Sequence, residues 1–127
     1  MKAEELSVLL LEDNSTWVGI GKRFLERVNI RGIDLAKNEQ EAISYLTNRR
    51  YDLLLCDTME MDNYPMGPNV AREAKKLGHT SVIVGLSASN LNKKLWEGLA
   101  DYFFNKLNFY DNDQGLRKVL QEKFQIS

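Results

Sequence analysis

The chain has 127 residues, of which 43% are hydrophobic and 28% are charged, with a formal net charge of −1, so its size is that of one domain with its own core. This balance argues against direct binding of nucleic acid through bulk positive charge, the single Cys56 excludes an internal disulfide, and no run of about 18 apolar residues is present to insert into a membrane. With an acidic N-terminal sequence that is unlike a signal peptide, we expect one cytoplasmic domain over residues 1–127 that leaves no room for an output domain.

Short apolar runs alternate with stretches of helical spacing along the chain. In chain order, the predicted strands lie at 6–11, 33–36, 53–56, 81–86 and 102–104. Several of these runs are continuous, which is typical of strands buried on both faces. Apolar residues recur at three- and four-residue intervals between them and predict helices around 17–28, 42–46, 70–77, 91–96 and 116–124, of which the fourth is short. This order predicts an α/β fold, a doubly wound (βα)5 three-layer sandwich with a five-stranded parallel sheet of the flavodoxin-like kind.

Residues that typically begin or end helices agree with this division. Asn14 or Ser15 is placed to cap the first helix, and Gly32 follows that helix. Gly78 is placed to end the third helix, and Pro68 lies in its first turn, where proline is tolerated.

Polar residues follow the predicted strands at their carboxyl ends. Glu12 and Asp13 come after the first strand, and Asp57 comes directly after the third. On neighbouring parallel strands these carboxylates converge at one edge of the sheet, where their repulsion calls for a cation, and oxygen ligands suit Mg²⁺. Ser87 follows the fourth strand and Lys106 the fifth. Acids, a hydroxyl group and an ammonium group at one edge form a set suited to a phosphoryl group.

The segments that carry these residues, VLLLEDN, DLLLCDTM, GLSA and GLADYFFNK, resemble the motifs of response-regulator receiver domains of two-component systems over essentially the whole chain. The resemblance implies that Asp57 accepts a phosphoryl group from a histidine kinase or a histidine phosphotransfer protein. It implies that Asp13, Asp57 and the backbone carbonyl of Met59 bind Mg²⁺, with Glu12 acting through water. Ser87 and Lys106 would then each contact a phosphoryl oxygen.

The family resemblance also implies a conformational switch. Movement of Ser87 towards the phosphoryl group would vacate space behind the fourth strand, and Phe103 stands at the position of the aromatic residue that turns into that space. A downstream protein would bind the face formed by the predicted fourth helix, fifth strand and fifth helix. Phe103 is equally consistent with a plain core residue.

The chain departs from the family pattern at several positions. Glu12 stands where aspartate is commoner, Met61 stands where a proline is usual, and Gly67 falls about two residues late, which indicates a longer loop after Asp57. The interval from Ser87 to Lys106 is short. Leu107 replaces the proline of a typically cis Lys-Pro bond, and we expect a trans bond here because a non-proline cis bond costs roughly 3 kcal/mol.

Other functions remain open from the sequence. The departures around Asp57 and Lys106 are compatible with a pseudo-receiver that binds a partner without phosphorylation. A phosphohydrolase would place an acid two residues after its nucleophile, where this chain has Met59, so we expect only slow self-dephosphorylation and no enzymatic turnover. A flavin phosphate would be repelled by the acids. Cys56 is interpreted as a buried apolar residue, and Trp17 either lines the rim of the site or packs its helix.

Overall fold

The structure, a computed structural model, describes residues 1–59 and 64–127. Its strands are β1 (Ser7–Leu11), β2 (Gly32–Ala36), β3 (Leu53–Asp57), β4 (Val82–Ser87) and β5 (Tyr102–Asn105). All neighbouring pairs are parallel, and the strand order is β2-β1-β3-β4-β5. The predicted parallel sheet is therefore confirmed, with strand bounds within a residue or two of the apolar runs.

Helices cover both faces of this sheet. They are α1 (Ser15–Arg27), α2 (Glu39–Asn48), α3 (Met66–Lys76), α4 (Lys106–Asp111) and α5 (Gln114–Phe124), with short 3-10 helices at Ala3–Glu5 and Asn90–Trp96. Alternate strand residues face opposite sides, so Val8 and Leu10 join one core with α1 and α5. Leu9 and Leu11 join a second core with α2 and α3. The predicted three-layer sandwich is confirmed.

The helix ends largely follow the capping predictions. Asn14 is the N-cap of α1, since its side chain accepts a hydrogen bond from the backbone N–H of Trp17 at 3.1 Å. Gly78 follows α3 with a φ of 81°, a left-handed conformation that favours glycine. Gly32 instead begins β2, and the left-handed residue after α1 is Asn29, with a φ of 69°.

The connections on either side of β5 differ from the predicted five-helix scheme. The predicted fourth helix is the 3-10 helix Asn90–Trp96. Its N-cap is Ser89, whose side chain accepts a hydrogen bond from the backbone N–H of Leu91. The helix α4 was not predicted, and it starts directly where β5 ends. Asn105 makes this possible because its side chain accepts hydrogen bonds from the first turn of α4.

The segment after β3 bears on the predicted long loop. Met61 lies outside the described residues, whereas Gly67 is the second residue of α3. The backbone N–H of Gly67 donates to the carbonyl of Thr58 at 3.0 Å. A Cβ atom on Gly67 would lie 2.0 Å from the carbonyl oxygen of Asp57, so only glycine allows α3 to approach β3 this closely.

Within residues 1–59 and 64–127, no helix combines the length and apolar character needed to cross a membrane.

Candidate functional site

The predicted acidic cluster forms at the carboxyl edge of the sheet. Strands β1 and β3 are adjacent, and Leu11 at the end of β1 pairs with Cys56, the residue before Asp57. Glu12 and Asp13 therefore emerge beside Asp57, and each of the three side chains offers a carboxylate oxygen within 4.8 Å of the others. This is the crevice where the strand order reverses, the usual ligand position in such sheets.

Lys106, which directly follows β5, reaches into the cluster. It is the first residue of α4 and is only 5% exposed. Its ammonium group lies 2.5 Å from Oε2 of Glu12 and 3.5 Å from Oδ1 of Asp57. The structure thus brings together Glu12, Asp13, Asp57 and Lys106, as predicted, and adds a direct ion pair between Glu12 and Lys106.

Burial disfavours the charged forms of two of these acids. Burial, followed by the neighbouring Asp57 carboxylate, raises the pKa of Glu12 from 4.5 to about 7, against the opposing hydrogen bond from Lys106. Burial likewise raises the pKa of Asp57, against the opposing effect of the Lys106 ammonium. One ammonium group does not compensate three clustered carboxylates.

These residues fit a magnesium ion. Carboxylate oxygens are hard ligands, and the three side chains are close enough to share one cation. Burial raises the pKa of Glu12 and of Asp57, and a divalent cation beside them would favour their charged forms. Met59, whose carbonyl is a predicted ligand, is half-buried two residues beyond Asp57, and its role stays a prediction.

Ser87 occupies the end of β4, one residue past the partner of Asp57 in the strand register. Its hydroxyl group is buried and accepts hydrogen bonds from the backbone N–H of Ser89 at 3.1 Å and from the side chain of Asn92 at 2.8 Å. Both bonds use lone pairs of the oxygen, so the hydroxyl hydrogen is left to be donated to an anionic oxygen.

A buried contact that the sequence did not indicate involves Thr58, the residue after Asp57. The indole N–H of Trp96 donates to Oγ1 of Thr58 at 2.8 Å, and this hydroxyl group donates to the carbonyl of Leu86 at 2.7 Å. The Trp96 ring packs so closely on β4 that a Cβ atom on Gly85 would lie 2.6 Å from it. A buried threonine after the acid and a glycine within a strand are the available sequence signals, and neither identifies Trp96 as the partner.

Phe103 lies away from the acidic cluster. It pairs with Gly85 in the strand register and packs, half-buried, against the core that contains Trp96. On this face, the room beside β4 is occupied by the Trp96 ring. The switch role of Phe103 stays a prediction, and an inward rotation of Phe103 would require Trp96 to move.

Several solved structures similar to this chain are receiver domains or response regulators. The response regulator TrrA from Thermotoga maritima, solved in complex with Mg²⁺ and BeF, is 26% identical with a TM-score of 0.77, over 98% of this chain and 100% of that chain. The receiver domain of Ssk1 from Saccharomyces cerevisiae, crystallised with the histidine phosphotransfer protein Ypd1, is 26% identical with a TM-score of 0.74, over 93% of this chain and 88% of that chain. A receiver domain of a sensor histidine kinase from Pseudomonas aeruginosa, with magnesium in its active-site cleft, has the same fold at 21% identity, a TM-score of 0.75 and coverage of 93% and 96%. The predicted resemblance to receiver domains and the predicted fold class are confirmed.

Sequence comparison adds a partial match. A probable histidine kinase 1 from Oryza sativa subsp. indica is 37% identical over 62 residues, which is 47% of this chain and 6% of the kinase. The match therefore spans a small part of that protein. No protein-family model matches the chain.

Proposed function

We propose that this chain, which shares the fold of response-regulator receiver domains, accepts a phosphoryl group on Asp57 in a Mg²⁺-dependent reaction. The observation that carries the proposal is the grouping of Glu12, Asp13 and Asp57 with a buried ammonium group 3.5 Å from Asp57. Ordinary surface acids are not held around a buried lysine, whereas a phosphoryl-transfer site needs both kinds of charge.

In the proposed reaction a carboxylate oxygen of Asp57 forms a bond to phosphorus as the bond from phosphorus to the donor breaks. With a phosphohistidine donor, the electron pair of the broken bond stays on the imidazole nitrogen. Lys106 and the hydroxyl hydrogen of Ser87 would each stabilise a phosphoryl oxygen as charge redistributes. Asp13, Asp57, the Met59 carbonyl and, through water, Glu12 would hold Mg²⁺, which supplies charge neutralisation on the transferring group.

The acyl phosphate would be removed slowly, and the chain would act as a signalling domain rather than as an enzyme with external substrates. Met59, two residues after Asp57, offers no side-chain acid or base to activate water. Turnover of a generic aryl phosphate is therefore not expected.

The proposed partners are a phosphodonor and a downstream protein. A histidine kinase or a histidine phosphotransfer protein would reach Asp57 from the carboxyl edge of the sheet, and the co-crystal of the Ssk1 receiver domain with Ypd1 supports this class of donor. The downstream protein would bind the face formed by the 3-10 helix Asn90–Trp96, β5 and α5. This face adjoins Ser87 through the Asn92 side chain, so a change at Ser87 reaches it directly.

Intact-mass measurement after treatment with Mg²⁺ and phosphoramidate or acetyl phosphate tests the proposal. The wild type is expected to gain the mass of one phosphoryl group, and EDTA should prevent the gain. The variant Asp57→Asn should gain nothing. The matched control Asp52→Asn removes an acid at the opposite end of β3, where its carboxylate accepts from the N–H of Ser7, and should be phosphorylated normally.

The alternative, a pseudo-receiver that needs no phosphorylation, predicts a different result. It predicts no mass gain in the wild type although Mg²⁺ binds. A mass gain that persists in Asp57→Asn would also contradict our proposal, because another residue would then be the acceptor.

A further inference from the structure

The orientation of Lys106 needs a structural cause in this chain. The family resemblance implies a Lys-Pro bond, typically cis, after this lysine, but Leu107 follows here and every described peptide bond is trans. A lysine side chain is a flexible four-carbon stem that does not hold one direction by itself. Contacts with the Lys106 ammonium group must therefore direct it.

Three groups surround the ammonium group of Lys106. Glu12 and Asp57 contact it from the acidic cluster, at 2.5 Å and 3.5 Å. The ring of Trp17 lies on another side, with its centroid 4.6 Å from Nζ. A cation within about 6 Å of an aromatic centroid is attracted to the face of the ring, more strongly when water is excluded.

Trp17 is itself held firmly. It lies in the first turn of α1, where its N–H is bonded to the Asn14 cap. Its ring stacks on that of Tyr110 with centroids 5.7 Å apart and an angle of 28° between the planes. Tyr110 belongs to α4, the helix that begins at Lys106, and packs edge-on against Phe24 at 5.1 Å. Trp17 thus connects α1 to α4 beside the ammonium group.

We infer that Trp17 is a positioning residue that holds the Lys106 ammonium group beside Asp57, in a chain that has no proline after that lysine. The inference rests on the proposed function, because the held ammonium group is the one that would pair with a phosphoryl oxygen. Without the ring, Lys106 keeps its closer contact with Glu12. On the side that Trp17 now occupies, water reaches the ammonium group and the lysine side chain can adopt other conformations.

Phosphorylation rates at saturating Mg²⁺ test the inference. Trp17→Leu keeps an apolar side chain against Tyr110 but removes the ring face, and should slow phosphorylation by acetyl phosphate about three- to thirtyfold, the range of a cation–aromatic contact. Trp17→Phe should recover most of the rate. In a Lys106→Met background, Trp17→Leu should change the rate by less than about twofold, since no cation is left to position. The control Tyr45→Leu removes an aromatic side chain packed on the other core and should have no effect in either background.

A double-mutant cycle of urea unfolding without phosphodonor tests the same contact independently. The unfolding constants of wild type, Trp17→Leu, Lys106→Met and the double variant should show a coupling of about three- to thirtyfold between the two positions. Additive effects would overturn the inference, as would a Trp17→Leu rate defect that persists in the Lys106→Met background. If the wild type gains no phosphoryl group, the proposed function fails, while the unfolding cycle still decides whether Trp17 holds Lys106.

Discussion

The metal-free protein should lose stability as the pH rises from about 5 to about 8, because its acidic site binds more protons when folded than when unfolded. Burial and the Asp57 carboxylate raise the pKa of Glu12 from 4.5 to about 7. Below the lower value the group is protonated in both states. Between the two values only the folded state retains the proton, so each further rise in pH favours unfolding, and above the upper value the loss is complete.

The size of this loss follows from about 1.4 kcal/mol for each pH unit by which the two pKa values differ. For Glu12, whose pKa rises from 4.5 to about 7, the loss is about 3 kcal/mol. Burial raises the pKa of Asp57 as well, and this group adds to the loss in the same direction. Bound Mg²⁺ would favour the charged carboxylates, so saturating Mg²⁺ should remove most of the pH dependence.

Urea unfolding at several pH values, in EDTA and in Mg²⁺, measures both effects. Glu12→Gln should flatten the EDTA profile relative to the wild type, whereas Glu4→Gln, at an exposed position, should leave it unchanged. The measured quantity is the free energy of unfolding of the wild type minus that of Glu12→Gln. The reasoning is refuted if this difference in EDTA is the same at pH 8 as at pH 5, or if Mg²⁺ leaves the pH dependence of wild-type stability unaltered.

Three further predictions concern the residues around Asp57. Cys56 is fully buried and its burial raises its pKa to about 12, so a thiol reagent such as DTNB should react only after the protein is unfolded in urea. Gly85→Ala places a Cβ atom 2.6 Å from the Trp96 ring and should lower the free energy of unfolding by about 1–3 kcal/mol in a urea titration. Thr58→Val leaves the buried indole N–H of Trp96 without its acceptor and should cost about 1–3 kcal/mol in the same assay, with a change in tryptophan fluorescence. Normal stability of either variant would contradict the tight packing of Trp96.

The strands and the acidic cluster were predictable because each depends on local sequence. The run from Leu53 to Cys56 is apolar without a break, which identifies a strand buried on both faces. Once the sheet is parallel, residues that follow its strands must meet at one edge, so the approach of Asp13 to Asp57 followed from their positions in the chain.

The connections around β5 could not be predicted in the same way. The helix α4 has only six residues and depends on the Asn105 cap and on the packing of Phe109 against Phe24, a contact distant in sequence. The segment Asn90–Trp96 contains two asparagines, which compete with a regular helix, and it forms a 3-10 helix that places Trp96 in the core. Both elements depend on tertiary packing, which the spacing of apolar residues along the sequence does not reveal.

The position of Trp96 changes what the proposed switch must involve. Ser87 holds the 3-10 helix through Asn92, and Trp96 at the end of that helix fills the room beside Gly85. Within the proposed function, a shift of Ser87 towards a phosphoryl group strains the bond from Asn92, but it does not by itself provide room for Phe103. Phe103 can turn inward only if the indole ring leaves β4 and gives up its hydrogen bond to Thr58, the residue next to the acceptor. If Asp57 is phosphorylated as proposed, we therefore expect the whole 3-10 helix with Trp96 to respond, and Phe103 to follow it.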